Sequence, residues 1–148
     1  MSCDAYDLEK FVRAQALMYP RALREMQNGK KKSHWMWFVF PQLKGLGQSR
    51  TAVHYGLEGI EEAKAYLAHP VLGARLREIT AALLAQEKSD PLEVMGYPDN
   101  VKLCSSMTLF AAACADDDGL FLAVIEKFFG GRKDALTLRL LAEEEGSK

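Results

Sequence analysis

Cysteine is scarce and unpaired in this sequence. The three thiols, Cys3, Cys104 and Cys114, are odd in number and never stand in a C-x-x-C spacing. That pattern indicates neither a disulfide framework nor a zinc site, and it fits a reducing compartment. Long apolar runs are missing too: nowhere do the roughly 18 consecutive apolar residues of a membrane span occur. The start, Met-Ser-Cys-Asp-Ala-Tyr-Asp, lacks a basic signal-peptide segment, so a soluble cytoplasmic protein is expected. An excess of one charge is absent as well. The formal net charge of -1 and pI near 6.3 argue against a general nucleic-acid binder, whose phosphate contacts require a strongly basic domain.

Several catalytic signatures are also wanting. The histidines, His34, His54 and His69, form no H-x-x-x-H pair, and Asp116 to Asp118 lacks the glycine and glutamate spacing of a calcium loop. There is no G-x-S-x-G elbow for a serine nucleophile and no glycine-rich phosphate loop. No metal or cofactor is expected. Repeats, linkers and low-complexity segments are missing, so 148 residues with 49% hydrophobic content read as one globular domain, residues 1–148.

What is present is helical punctuation. Asp7 can cap a helix carrying Leu8, Phe11, Val12, Leu17 and Met18, which Pro20 breaks or restarts before the stop at Asn28-Gly29, giving a hairpin or a kinked helix. Ser49 or Thr51 caps a turn over Ala52 to Leu57, and Gly59 precedes a helix closed by His69-Pro70. Val71 to Glu87 is the clearest amphipathic helix, with Leu72, Leu76, Ile79, Leu83 and Leu84 as its stripe. Asp90-Pro91 opens a single turn, and Asp99 caps the helix after it. Asp116 to Gly119 is an exposed loop, Gly130-Gly131 closes Leu120 to Phe129, and Asp134 caps the last helix. Because Val101 to Ala113 is apolar on almost every side, it belongs at the centre. The expected fold is all-α: a compact single-domain bundle of about seven to nine short helices around a central apolar helix at about 100–115.

One stretch stands apart. Lys30 to Lys32 runs straight into Ser33-His-Trp-Met-Trp-Phe-Val-Phe40 and then into Pro41-Gln-Leu-Lys-Gly-Leu-Gly47. Ser33 can cap a short helix over His34 to Phe40, although the same residues have high strand propensity. A buried helix of one or two turns ended by Pro41 is preferred, since no second strand is available to pair with it. Gly45 and Gly47 permit a tight loop with positive φ.

Candidate ligand-binding residues follow from chemistry. Trp35 and Trp37 can stack on a planar ligand or simply pack the core. His34 can act as acid, base or anion donor, or stand on the surface. Gln42, between proline and the glycine turn, can reach a ligand or satisfy loop backbone. Lys102 with Ser105, Ser106 and Thr108 places polar groups on an apolar helix, and Lys102 and Ser106, four apart, share a face that can hold a phosphate or carboxylate. Bonding of Ser and Thr back to the preceding turn is the plain alternative.

On Ser33 to Gly47, together with Tyr55-Gly-Leu, Glu62-Ala-Lys-Ala-Tyr-Leu-Ala-His-Pro-Val-Leu-Gly-Ala-Arg-Leu76, Lys102-Leu-Cys-Ser-Ser-Met-Thr-Leu-Phe110 and Asp134-Ala-Leu-Thr-Leu138, the chain resembles a bacterial family, domain of unknown function eighteen-ten. The resemblance covers nearly the whole chain and implies an all-helical fold, with no activity or catalytic residues attached. Its members sometimes carry the label calpastatin, which fits poorly, because such inhibitors are long, disordered and repetitive. The order of an aromatic motif, an Ala-rich helix and a Lys-containing Met/Phe helix is also similar to a helical family acting on ADP-ribose-type N-glycosides, an analogy of arrangement only.

Two functions are therefore carried forward. One is a small-molecule site that binds a nucleotide or sugar phosphate, or processes an N-glycoside, with an anionic small molecule as partner and His34, Gln42 and Lys102 converging. The other is an interaction domain that docks a protein through an exposed aromatic patch or the Lys30 to Lys32 run. Neither nucleic acid nor membrane is an expected partner, and the chain is expected to be a monomer or a weak homo-oligomer.

Overall fold

The computed structural model describes residues 6–114 and 119–146, and among these the chain is all helix and loop. Nine helices follow in order: α1 Glu9–Gln27, α2 Met36–Val39, α3 Arg50–Tyr55, α4 Ile60–Ala68, α5 Leu72–Ala85, α6 Pro91–Met95, α7 Asp99–Ala113, α8 Leu120–Phe129 and α9 Ala135–Gly146. α7 is the hub. It packs against α4, α6, α8 and α9, and Leu103, Met107, Leu109 and Phe110 are completely buried along it. A helix without a polar face has no side to turn to water, so the rest of the bundle closes around it.

Three expected caps are in place. Ser49 Oγ accepts from Ala52 N at 3.1 Å, Asp90 Oδ1 from Leu92 N at 3.0 Å, and Asp134 Oδ2 from Thr137 N at 3.0 Å. Three others are not. α1 starts after Leu8 without a side-chain cap, so Asp7 does not cap it; α2 starts after Trp35 rather than Ser33; and α7 starts at Asp99 with Pro98 before it. In the last two cases a stronger partner takes the polar side chain, Glu25 for Ser33 and two lysines for Asp99.

Pro20 neither breaks nor restarts α1, which runs unbroken through it. The ring lies on the exposed face beside exposed Ala16, whose carbonyl loses its helical donor where water can replace it. Gly45 has the expected positive φ of 103°, whereas Gly47 does not; its constraint is space, since a Cβ there would sit 2.7 Å from Ala52 Cβ. The aromatic stretch is one turn of helix, α2, followed by loop. The chain then makes one isolated parallel bridge, Leu43 with Leu57. Cys104 is a free thiol, while Cys3 and the Asp116 to Asp118 part of the expected loop lie outside the described residues.

α9 is fastened at both ends. Thr108 Oγ1 on α7 accepts from Asp134 N at 2.9 Å, and Glu144 Oε1 accepts from Ile60 N at 3.1 Å, at the start of α4. Gly59 has no side chain to obstruct that carboxylate, and any Cβ would collide with it.

Candidate binding cleft

The Trp-rich segment is held by one buried carboxylate. Glu25, on α1, accepts from Lys32 N at 2.8 Å, Ser33 N at 3.1 Å, Ser33 Oγ at 2.7 Å and Trp35 Nε1 at 2.8 Å. Burial alone would raise the Glu25 pKa, but these donors outweigh it and bring the value down to about 2. With Trp35 fixed, the single turn of α2 turns Met36 and Val39 into the core and leaves Trp37 and Phe38 half-buried. Gln42 is then set by the bridge: its carbonyl accepts from Leu57 N at 2.9 Å, while its side-chain amide has no partner among the described residues.

Trp37 and Gln42 form one wall of a cleft of about 430 Å³. The loop Leu46 to Ser49 supplies the rim next to them, Tyr97, Pro98, Val101, Lys102 and Ser105 the facing wall, and Asp134 and Leu136 the floor from the start of α9. Apolar surface dominates, with a few polar groups converging on it, which is the usual make-up of a small-molecule site.

Lys102 is the electrostatic centre of the cleft. Its side chain is only 17% exposed, and Nζ lies 4.4 Å from the centroid of the Trp37 ring, a cation–π contact. The nearest carboxylate oxygen, Asp99 Oδ1, is 3.9 Å away, too far for a hydrogen bond. Asp99 is shared: Lys31 Nζ takes its Oδ2 at 2.8 Å while lying 4.9 Å above the Trp35 ring. Two lysines thus face one carboxylate, and the ammonium of Lys102 donates no hydrogen bond among the described residues.

Four of the residues singled out from sequence, Trp37, Gln42, Lys102 and Ser105, meet in this cleft. The other three do not line it. His34 is exposed, so the expected approach of His34 to Gln42 and Lys102 reduces to the latter two. Trp35 has no exposed surface and uses its indole N–H on Glu25; with Phe40 also buried, the aromatic run offers little surface for docking. Ser106 is sealed in the core, its Oγ without a partner. On a helix of 3.6 residues per turn either the third or the fourth residue onward can share a face with Lys102; here Ser105 turns to the cleft and also bonds back to Val101 O at 3.3 Å. Lys44 pairs with Glu58 and does not line the cleft. Nor is the Lys30 to Lys32 run a uniform basic patch, since the Lys31 side chain is 7% exposed.

Sequence reasoning missed Asp99, Asp134 and Lys31 as members of this constellation. Asp134 was legible as a cap but not as cleft floor. Cys104 stands close by: burial, and then the Asp134 carboxylate, push its thiol up to about 11, which disfavours the thiolate at neutral pH.

Residues 5–141 match the family described as protein of unknown function (DUF1810). The crystal structure of the conserved hypothetical protein Rv1873 from Mycobacterium tuberculosis is similar over 93% of this chain and 98% of that one, with a TM-score of 0.90 and 48% sequence identity. No curated protein matches the chain.

Proposed function

The chain belongs to the DUF1810 family of proteins of unknown function, and we propose that it binds a small anionic molecule of the nucleotide or sugar-phosphate kind in the cleft beside Trp37. The observation that carries this reading is the state of Lys102. An ammonium has three donors, and among the described residues that of Lys102 uses none of them on the protein. Trp37 and the shared Asp99 approach it without saturating the donors. A phosphate or carboxylate would supply the missing acceptors, and Gln42 adds an uncommitted amide in the same cleft.

Every group in this reading comes from a single chain, so no second copy is needed. A bacterial cytoplasmic setting is part of the same proposal, supported by the free thiol of Cys104. If the bound molecule is an N-glycoside and is turned over, the chemistry falls to Asp134, the one carboxylate among the lining residues.

Thermal denaturation with inorganic phosphate, ribose 5-phosphate and AMP tests the proposal. At about 100 times the dissociation constant a ligand adds about 2.7 kcal/mol to stability, a shift of several degrees. Lys102→Met is expected to abolish the shift while leaving the free protein folded, because the ammonium donates no hydrogen bond among the described residues. A shift that persists in Lys102→Met, or its absence for every phosphate compound in the wild type, would sink the reading.

A further inference from the structure

We infer that the occupant of this cleft is a phosphorylated sugar or polyol, its phosphate on Lys102 and its hydroxyls on Asp134, and not a ligand held through a stacked base. This rests on the anion-binding reading above.

The first reason is what Trp37 already does. The Lys102 ammonium lies over the indole at 4.4 Å, and the Cη2 edge is closed in by Gly47, where even a Cβ would sit 3.6 Å away. A base stacking on the face under the ammonium would displace the cation that attracts its own phosphate. The face of Trp37 under the ammonium is therefore a seat for Lys102 and not a platform for a ring.

The second reason is a negative charge held in the same cleft. Asp134 Oδ2 is used by Thr137, accepting from both its N and its Oγ1, and Asp134 N donates to Thr108 Oγ1. Oδ1 has no partner among the described residues. Lys102 is on α7 and Asp134 is tied by its backbone N–H to Thr108 on the same helix, so a cation and a carboxylate are held against one cleft. A carboxylate repels phosphate oxygens and accepts from hydroxyls, so the ligand must be anionic at one end and rich in donors at the other. Gln42, Gln48 and Ser49 line the same cleft, and each can both donate and accept, as a sugar hydroxyl does. The volume of about 430 Å³ lies toward the small end of ligand sites and suits a monosaccharide phosphate.

Isothermal titration of the intact protein with inorganic phosphate, ribose 5-phosphate, AMP and phosphoethanolamine tests this. Ribose 5-phosphate is expected to bind at least about tenfold tighter than phosphate, a gain of about 1.4 kcal/mol, and AMP no tighter than ribose 5-phosphate. Asp134→Asn keeps a capping oxygen for α9 and should remove that gain, while phosphate alone binds as well or better for want of the nearby negative charge. Should that variant fail to fold, Gln48→Ala at the exposed rim is expected to weaken ribose 5-phosphate and leave phosphate unchanged. AMP binding tenfold tighter than ribose 5-phosphate would overturn the inference and leave the anion site standing; so would preference for phosphoethanolamine, or equal loss of every ligand in Asp134→Asn. If none of the four binds, the anion site falls as well.

Discussion

At the scale of single residues, two carboxylates organise the cleft without entering it. Glu25 gathers four donors from the Lys32 to Trp35 segment. Its ordinary pKa of 4.5 drops to about 2 on folding, so the stability it contributes is complete above about pH 5 and is lost as the pH falls towards 2. At about 1.4 kcal/mol per unit the contribution is on the order of 3 kcal/mol. Glu25→Gln should be less stable than the wild type at pH 7, and urea midpoints followed from pH 7 to pH 2 should converge; curves that stay parallel would contradict this role.

Asp99 is the second. By holding Asp99 Oδ2 at 2.8 Å, Lys31 keeps that carboxylate from pairing fully with Lys102, which it approaches only to 3.9 Å. Lys31→Met should therefore weaken phosphate binding although Lys31 does not line the cleft, and Asp99→Asn should strengthen it. Phosphate titrations read both, and the same sign of change in the two variants would refute the shared arrangement. None of this was visible in the sequence, where Lys31 is one of three lysines in a row and Asp99 a capping residue before an apolar helix. Ion pairs across 68 residues leave no local pattern.

At the scale of elements, the apolar positions were the legible part. α5, α8 and the core of α7 lie where hydrophobic spacing and glycine stops put them, because burial of a stripe depends on side-chain period alone. Leu109→Ala and Phe110→Ala, both wholly buried on α7, should each cost about 2 to 5 kcal/mol through lost contacts and a residual cavity. Chemical denaturation gives the value; an unchanged midpoint in either variant would remove α7 from the core. Helix starts were less legible. Ser33 and Asp99 are good cap residues by type, yet each has a partner from elsewhere in the chain that a local rule cannot see. Pro20 was misread for a related reason: its cost depends on whether the freed carbonyl faces water, a property of the assembled bundle.

At the scale of the whole molecule, the all-helical class and the family were both readable, and the cleft was half readable. Trp37, Gln42, Lys102 and Ser105 were found because polar groups amid apolar ones must find partners. Trp35 and Ser106 carry the same signal and spend it inside, Trp35 on Glu25 and Ser106 with its hydroxyl unpaired. Residue type alone does not tell a buried tryptophan from one at a rim. The cleft floor came from α9, more than 30 positions beyond Lys102, and only the packing of α9 on α7 brings Asp134 there.

The arrangement of Lys102 over Trp37 can be read by light. Of the two tryptophans, Trp35 is sealed in the core and Trp37 lies under the ammonium at the cleft wall. When ribose 5-phosphate is added to the intact protein, the phosphate should draw Lys102 away from the indole. The expected result is a saturable change in tryptophan emission in the wild type, absent in Trp37→Phe and in Lys102→Met. Emission that stays constant in the wild type up to saturating sugar phosphate, or a Lys102→Met protein that titrates like the wild type, would contradict an anion seat built on Lys102.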